Sequence, residues 1–357
     1  MRSTIKIFAA MVLALTAQMV SAQEVPKIGF IYISPADDPI GWTYEHDRGR
    51  QQAQEYFGNA VQLDYFENIT EGEEGLAKMR ELAADGYDMI FTTSFGYMQG
   101  SISVAFENPE VKIEHATGYV RAANLSTYSI RFYEGRVSQG IIAGQMTKSN
   151  KIGYIASFPI PEVIRGINAA FLAARSVNPD VEFEILWMYS WYNPEAEEAA
   201  ARELIANGAD VLMQHTDTAE AMKVAEEMGV FAFGQASDMR AYGPDAQLSA
   251  SVNNWGPYYI ERIQAFLDGT WESKDTWGGL FDNMLEIAPF SDKIPARVQA
   301  QAQDAIERIR TGRLHPFTGP IRRQDGSGWL AAGEVASDTD LLTMGFFVEG
   351  INGEIPR

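Results

Sequence analysis

The segments KIGFIYIS (residues 27–34) and KIGYIASF (residues 151–158) decide the fold of this chain. Each begins with Lys-Ile-Gly, continues with an aromatic residue and consists largely of apolar side chains, which is typical of a strand that is buried in a parallel sheet. The second segment repeats the first after a complete series of further elements. We therefore expect two lobes of similar construction.

An alternation of strand and helix patterns follows each of these segments. Apolar runs of strand length are separated by amphipathic stretches of helix length, and this order predicts the α/β class with two doubly wound parallel-sheet lobes. In the first series, strands are expected at residues 27–34, 61–68, 87–94, 111–118 and 126–132. In the second series, they are expected at residues 151–158, 181–191, 209–217 and 230–237.

The C-terminal part of the chain predicts how the two lobes are joined. The total of 357 residues suits two lobes of roughly 150 residues each. The alternation loosens from about Ser249, and a chain that forms helices again after its second sheet is expected to return to the first lobe across a hinge. We therefore assign residues 26–132 and about 256–312 to lobe 1, and residues 133–255 and about 313–357 to lobe 2.

The first 22 residues predict export from the cytoplasm. Arg2 and Lys6 precede a short apolar run that ends in Val-Ser-Ala, which is the pattern of a secretory signal peptide cleaved near Ala22. The alternative is a membrane anchor, but the apolar run is shorter than the ~20 residues that span a bilayer. The chain contains no Cys, so we expect neither disulfides nor a lipid anchor on an N-terminal cysteine. These features predict a soluble periplasmic protein.

The charge of the chain limits the class of ligand. The formal net charge is −20, and it is −22 without the signal peptide, which carries two basic residues and no acidic ones. Such a surface repels nucleic acid and anionic lipid, so no nucleic-acid partner is expected. A neutral or cationic small molecule fits this charge better than a phosphorylated one.

The candidate ligand-binding residues follow the predicted strands, because ligands of open parallel sheets bind beyond the carboxyl ends of the strands. These segments combine aromatic, amide and hydroxyl side chains with isolated carboxylates. Such a set suits a flat, hydrogen-bonding ligand such as a purine base or nucleoside, with a sugar as the nearest alternative. The candidates are Asp37, Trp42, Thr43, Phe95, Phe158, Trp191, His215, Asp217, Gln235, Asp238, Asn253 and Trp255.

Several of these residues also have a purely structural interpretation. Trp42 fits either a binding site or a contact between its helix and the sheet. Asp37 fits a turn between two prolines, and Asp217 fits the N-cap of the next helix. Asp238 fits a local ion pair with Arg240. The sequence leaves these alternatives open.

Motifs of common enzymes and metal sites do not occur in the sequence. It contains no G-x-S-x-G, H-E-x-x-H, phosphate-binding loop or G-x-G-x-x-G pattern. With four scattered His and no Cys, a zinc site is not expected. A nucleoside-cleaving hydrolase that uses Asp37 or Asp38 remains an alternative. We expect a binding protein without a cofactor and without catalysis.

Seven segments of the chain together carry a resemblance to a known family. The segments are KIGFIYISPADDPIGWTYEHDRGR, DMIFTTSFGYM, IRFYEGRVSQGIIAGQM, KIGYIASFPIPEVIRGINAAFLAARSVNP, SWYNPEAEEAAARELIANGADVLMQHTD, GVFAFGQASDM and SASVNNWGPYYIERI. They resemble the basic membrane protein (Bmp, PnrA-like) family of periplasmic substrate-binding proteins of ABC importers. The resemblance implies a type I periplasmic binding protein fold with three hinge crossings, a purine stacked between aromatic rings in the cleft, and an inner-membrane ABC permease as partner of a monomeric receptor.

Details of the resemblance point to a free base as the ligand. Trp42 corresponds to the stacking aromatic residue of the family, and Asp238 to a family Asp. Thr43 stands where nucleoside-binding relatives have Asn, and the lysine that binds ribose in those relatives has no match here. The resemblance thus implies the subgroup that binds adenine or a similar base. A sugar-binding or sensory receptor of the same fold remains the alternative.

Overall fold

The computed structural model describes residues 25–37 and 39–356. The predicted signal peptide, its cleavage site and Asp38 lie outside the described residues. Among the helices of the described part, none combines the length and the apolar character that a membrane span requires.

Strands and helices alternate through most of the chain. The strands are β1 (Lys27–Ile31), β2 (Gln62–Phe66), β3 (Met89–Thr92), β4 (Lys112–Ala116), β5 (Leu125–Ile130), β6 (Lys151–Ala156), β7 (Glu182–Trp187), β8 (Val211–His215), β9 (Phe231–Gly234), β10 (Gln247–Asn253), β11 (Asp275–Gly278), β12 (Leu285–Ile287), β13 (Ile321–Arg322) and β14 (Gly328–Leu330). The helices are α1 (Gly41–Phe57), α2 (Glu73–Ala84), α3 (Met98–Glu107), α4 (Phe132–Met146), α5 (Pro161–Val177), α6 (Pro194–Ala206), α7 (Glu220–Met228), α8 (Gly256–Leu267), α9 (Ala296–Arg310) and α10 (Asp338–Leu342).

Strands β1 to β12 form two six-stranded sheets of nearly the same topology, and β13 and β14 form a separate pair. The order is β2-β1-β3-β4-β5-β11 in lobe 1 and β7-β6-β8-β9-β10-β12 in lobe 2. All neighbours are parallel except β12, which pairs antiparallel with β10. The predicted α/β class with two doubly wound parallel-sheet lobes is confirmed, with one antiparallel edge strand added.

The shared Lys-Ile-Gly motif has the same packing role in both lobes. A Cβ atom at Gly29 of β1 would lie 2.9 Å from Leu82 Cδ1 of α2. A Cβ atom at Gly153 of β6 would lie 2.9 Å from Leu204 Cβ of α6. Each glycine therefore lets a leucine of the covering helix pack directly on the backbone of a central strand. Any larger residue in place of the glycine would block this close approach.

The lobe boundary after residue 278 differs from the expected one. Helix α8 packs on α1 and β11 extends the first sheet, but β12 joins the second sheet and α9 packs on α4 of lobe 2. The assignment of residues about 256–312 to lobe 1 is therefore wrong for its second half. The physical reason is that the amphipathic pattern of α9 shows which face is buried and not which lobe covers that face.

Three crossings connect the lobes. They run from β5 to α4, from β10 to α8 and from β11 to β12. The hairpin of β13 and β14 and helix α10 then complete lobe 2, where Arg165 Nη1 of α5 donates to the Leu341 carbonyl at 3.2 Å.

Strand β7 ends earlier than the apolar pattern of its sequence suggests. The pattern continues to Trp191, but the strand stops at Trp187. Tyr189 has a φ of 51°, a left-handed conformation that no extended strand contains. Residues 188–193 are therefore a loop, and this loop carries Trp191 to the cleft.

Candidate functional site

A cavity lies between the lobes, where the carboxyl ends of both sheets face each other. The start of α1 and the loops after β3 and β4 supply the wall on lobe 1. The start of α5 and the loops after β7, β8 and β9 supply the wall on lobe 2. The lining residues are Trp42, Ser94, Phe95 and Thr117 from lobe 1, and Glu162, Trp191, His215, Asp217 and Gln235 from lobe 2.

Trp42 lies in the first turn of α1 and forms an aromatic wall on lobe 1. Its Nε1 donates to the Thr93 carbonyl at 2.5 Å, which joins α1 to the end of β3. Its ring meets His46 edge-on at 4.4 Å between centroids and Trp255 edge-on at 5.5 Å. The indole is thus fixed at its edges and half-buried, with part of its surface left to line the cavity.

Trp191 forms the corresponding wall on lobe 2. Its ring leans on Phe158, with 5.0 Å between centroids, and its carbonyl accepts from the Asp217 backbone N at 2.9 Å. Among the ring contacts of residues 25–37 and 39–356, none joins Trp42 to Trp191. Two indoles from separate lobes therefore line one cavity without touching each other.

Asp217 places a buried carboxyl group in the cavity. Burial raises its pKa well above the usual value for an aspartate, and the charges of Glu197, Glu162 and Glu71 raise it further. Glu197 is held in place by Thr218, whose hydroxyl donates to its carboxylate at 2.7 Å. A carboxyl group in this setting gains stability from any ligand that donates a hydrogen bond to it.

His215 and Glu162 form a second polar pair in the wall. The two side chains approach to 3.5 Å between Nε2 and Oε1. Burial lowers the pKa of His215, and the nearby Glu162 partly opposes this effect. The imidazole is therefore neutral near pH 7, where it offers one acceptor and one donor.

Gln235 completes the polar part of the wall. Its Oε1 accepts from Arg136 Nη2 at 2.5 Å, and the side chain is 3% exposed. The lining thus combines two indoles and a phenyl ring with two carboxyl groups, an imidazole and an amide. Within the described part of the chain, no group of three or more His, Asp or Glu is arranged to hold a metal ion.

The structure does not bring Asp37, Thr43 or Asp238 to the cavity. Asp37 is exposed in the loop after β1. Thr43 is buried, and its hydroxyl bonds to the Ser34 hydroxyl at 2.7 Å. Asp238 is exposed and accepts from the backbone N of the residue two positions later, at 3.0 Å. None of these three side chains is among the residues that line the cavity, and their part in ligand binding stays a prediction.

Phe158, Asn253 and Trp255 lie behind the lining residues. Phe158 supports the ring of Trp191. Trp255 is 1% exposed and stacks on His46 at 4.5 Å, so it belongs to the core of the closed interface. Asn253 is fully buried at the end of β10. The rule that ligands bind beyond strand ends selects both the residues that line the cavity and the residues that pack behind them.

Ser94, Thr117 and Glu162 line the cavity although they are absent from the sequence candidates. Ser94 is the second residue after β3, Thr117 directly follows β4, and Glu162 is in the first turn of α5 after β6. The same rule that selected Trp42 applies to them. Their common residue types gave no additional chemical signal in the sequence.

Comparison with known proteins identifies the family. Residues 25–314 match the Bmp family, described as ABC transporter substrate-binding protein PnrA-like. A purine-binding protein from Brucella abortus (strain 2308) is 48% identical over 94% of this chain and 95% of its own length. A protein from Haloferax volcanii, named as an ABC transporter glucose-binding protein, is 33% identical over 94% of this chain and 83% of its own length.

Solved structures show the same architecture. An ABC transporter solute-binding protein from Aeropyrum pernix K1 superposes with a TM-score of 0.69, covering 84% of this chain and 93% of that chain at 16% sequence identity. This likeness supports the type I periplasmic binding protein fold, and the resemblance noted in the sequence is confirmed by the family match. The chain therefore belongs to the PnrA-like (Bmp) family of ABC transporter substrate-binding proteins, which bind a small molecule outside the cytoplasm and deliver it to a membrane transporter.

Proposed function

We propose that this protein binds a purine base between Trp42 and Trp191 and presents it to an inner-membrane ABC permease as a periplasmic monomer, without chemical change of the ligand. The observation that carries the proposal is the pair of indoles, which line one cavity from separate lobes and do not contact each other. The purine-binding name of the Brucella relative, at 48% identity over nearly the whole chain, supports the same ligand class.

The physical chemistry of the wall favours a planar heterocycle. Stacking of a base on an aromatic side chain contributes about 1–3 kcal/mol per base. The carboxyl groups of Asp217 and Glu162 accept hydrogen bonds, and bonds to an ionised acceptor are stronger than neutral ones. An amino group and a ring N–H of a purine supply the donors that these carboxyl groups need.

The resemblance implies a free base as the ligand and not a nucleoside. Asp238, which matches a family Asp, is exposed and accepts from Gln247 Nε2 at 2.6 Å. Thr43 is bonded to Ser34 and does not line the cavity. However, a second cavity of about 250 Å³ shares Phe95 and other lining residues with the first. A nucleoside therefore belongs in the experimental series, because its sugar has space to extend there.

A sugar is the second candidate ligand. The observation in its favour is the glucose-binding name of the Haloferax relative, at 33% identity. Aromatic side chains also pack on the apolar faces of sugars, so the indole pair by itself does not exclude a hexose.

Native mass spectrometry of freshly purified protein, followed by calorimetric titration, tests the proposal. We expect a co-purified ligand of nucleobase mass, and tighter binding of adenine or guanine than of adenosine, inosine or glucose. A ligand of hexose mass, with no measurable binding of purines, would contradict the proposal.

Incubation with inosine tests the absence of chemistry. Steady release of free base and ribose would mean that the protein is a hydrolase and not a receptor. Size-exclusion chromatography with light scattering checks the expected monomer.

A further inference from the structure

We propose that Arg136 fixes the orientation of the Gln235 side-chain amide, so that its NH₂ group donates into the cavity and selects ligands with a hydrogen-bond acceptor at that position. The inference rests on the proposed function, because it assigns a specificity-determining contact within the same site. Arg136 itself acts as a positioning residue, since it contacts the ligand only through Gln235.

Arg136 is a buried cation with neutral partners. It lies on α4 and is 1% exposed. Its Nη1 donates to Gln139 Oε1 at 2.8 Å, and its Nη2 donates to the Gln214 carbonyl at 2.7 Å and to Gln235 Oε1 at 2.5 Å. Among the described residues, no carboxylate lies within ion-pair distance of its guanidinium. Three amide oxygens from α4, β8 and the loop after β9 accept hydrogen bonds from this charge, and the Tyr154 ring lies 5.4 Å from it.

This arrangement determines which end of the Gln235 amide faces the ligand. A guanidinium group has donors and no acceptor, so the atom of Gln235 that faces it must be the oxygen. The reversed amide would place an NH₂ group against a buried cation and would remove one of its three hydrogen-bond acceptors, which is costly because both side chains are buried. The Nε2 atom is therefore at the other end of the amide, where Gln235 lines the cavity.

The donors of Gln235 Nε2 have no acceptor of their own in the protein. Among residues 25–37 and 39–356, no carbonyl or side chain accepts a hydrogen bond from this nitrogen. The carboxyl groups of Asp217 and Glu162 line the same cavity as acceptors. The wall thus presents one fixed hydrogen-bond donor together with two acceptors. A heterocycle matches this set when it carries an acceptor, such as a ring nitrogen or a carbonyl oxygen, close to its N–H groups.

Binding of adenine analogues to Gln235→Glu and Gln139→Glu proteins separates this role from a structural one. Q235E keeps the side-chain size and an oxygen for Arg136, but it replaces the donor with an acceptor. Q139E adds the same carboxylate to the same guanidinium outside the cavity, since Gln139 does not line it. We expect Q235E to bind adenine about 10- to 100-fold more weakly, and Q139E to stay within about 3-fold of the parent protein.

The analogues 1-deazaadenine, 3-deazaadenine and 7-deazaadenine each replace one ring nitrogen acceptor with C–H. In the parent protein, we expect the analogue that lacks the atom facing Gln235 to bind about 10-fold more weakly than adenine. In Q235E this penalty should vanish, and in Q139E it should persist. A substitution that only distorts the lobe would weaken all analogues alike, so it would not remove the penalty of a single analogue.

Each other outcome overturns the inference. If every analogue shows the same penalty in Q235E as in the parent, Gln235 does not donate to the ligand. If Q139E weakens adenine as much as Q235E does, the effect comes from the environment of Arg136. If the parent binds no purine at all, the proposed function fails, and this inference fails with it. The first two results leave the proposed function intact and are thus distinguishable from the third.

Discussion

At the residue scale, Trp42 is held in place before any ligand arrives. Its Nε1 bond to the Thr93 carbonyl and its edge contacts with His46 and Trp255 fix the ring from lobe 1. A ligand that stacks on this indole therefore loses little free energy to the ordering of the side chain. These contacts explain why the sequence pattern around Trp42 fits both a residue of the core and a residue of the binding site.

Replacement of Trp42 by Ala should weaken purine binding by about 1–3 kcal/mol, because one stacking face is lost. Calorimetric titration with adenine measures the change. Trp187→Ala is the matched control, since Trp187 packs on the same core at the end of β7 and does not line the cavity. Unchanged affinity in the Trp42 variant would show that this indole serves packing alone.

Asp217 predicts a pH dependence of binding. Burial and the charges of Glu197, Glu162 and Glu71 raise its pKa, so the unliganded protein retains the proton well above the usual pH range of an aspartate. A ligand N–H group favours the ionised form, so binding should release a proton and weaken as the pH falls through this raised pKa. Titrations in buffers of different ionisation enthalpy, at about pH 5 to 8, measure the proton release.

Asp217→Asn should change affinity and stability in opposite directions. The variant should bind more weakly at about pH 8 and lose the proton release. Because the raised pKa means that the ionised carboxyl destabilises the folded protein, stability of the parent is lost as the pH rises through that pKa. The unliganded variant should therefore be more stable than the parent at about pH 8 in urea unfolding. Proton release that persists in the variant would assign the linkage to another group.

At the scale of secondary-structure elements, the first turn of α4 ties two lobe crossings together. Helix α4 begins directly after the crossing from β5, and its Glu134 Oε2 accepts from the Leu280 backbone N at 2.8 Å in the crossing from β11 to β12. Burial raises the pKa of Glu134 to about 7, and the Leu280 bond and Arg131 partly oppose this effect. Part of the hinge thus depends on a carboxyl group that titrates near neutral pH.

Glu134→Gln should remove a pH dependence of stability. Since the folded-state pKa is raised, the parent keeps its full stability below about pH 4.5 and loses it as the pH rises through about 7. Gln keeps an oxygen for the Leu280 N–H and stays neutral, so the variant should be more stable at pH 8 by up to ~3 kcal/mol and unchanged at pH 4.5. Urea unfolding at both values measures this.

The matched control is Glu110→Gln, which removes an exposed carboxylate. In this variant, the free energy of unfolding should depend on pH in the same way as in the parent protein. If the free energy of unfolding of E134Q changes with pH from 4.5 to 8 as that of the parent does, ionisation of Glu134 does not destabilise the folded protein.

At the scale of the whole molecule, the lobes contact each other at the edge of the cavity. The Gly41 backbone N of lobe 1 donates to Ser237 Oγ of lobe 2 at 2.6 Å. Gly41 has a φ of 83°, and a Cβ atom there would lie 2.5 Å from the Asp217 carbonyl oxygen. Only glycine allows this approach, so the closed arrangement of the lobes depends on one position of α1.

Ser237→Ala should therefore weaken ligand binding through closure. The variant loses one hydrogen bond between the lobes, and Ser237 does not line the cavity, so we expect about 3- to 10-fold weaker binding of adenine and a more open unliganded form in small-angle scattering. Ser249→Ala is the matched control, since its hydroxyl bonds to the Ala288 carbonyl within lobe 2 at 2.8 Å. Equal affinities of the two variants would show that the Gly41–Ser237 bond does not govern closure.

The sequence by itself determined the two-lobed α/β architecture and the family. Hydrophobic periodicity and the repeated Lys-Ile-Gly strand are local signals, and they predict strands, helices and strand ends without knowledge of the packing. For that reason the sequence could point to Trp42, Trp191 and Asp217, which line the cavity. It could not predict that Thr43 and Asp238 do not line it, because the direction of a side chain depends on backbone angles that no periodicity records.

Only the tertiary structure decided which lobe holds β12 and α9, how far Trp191 reaches into the cleft, and which atoms of Gln235 face the ligand. The pairing of Gln235 with Arg136 joins residues separated by 99 positions in the sequence. Such contacts depend on how three crossings orient two sheets toward each other. That orientation is a property of the packed lobes and leaves no pattern in the local sequence.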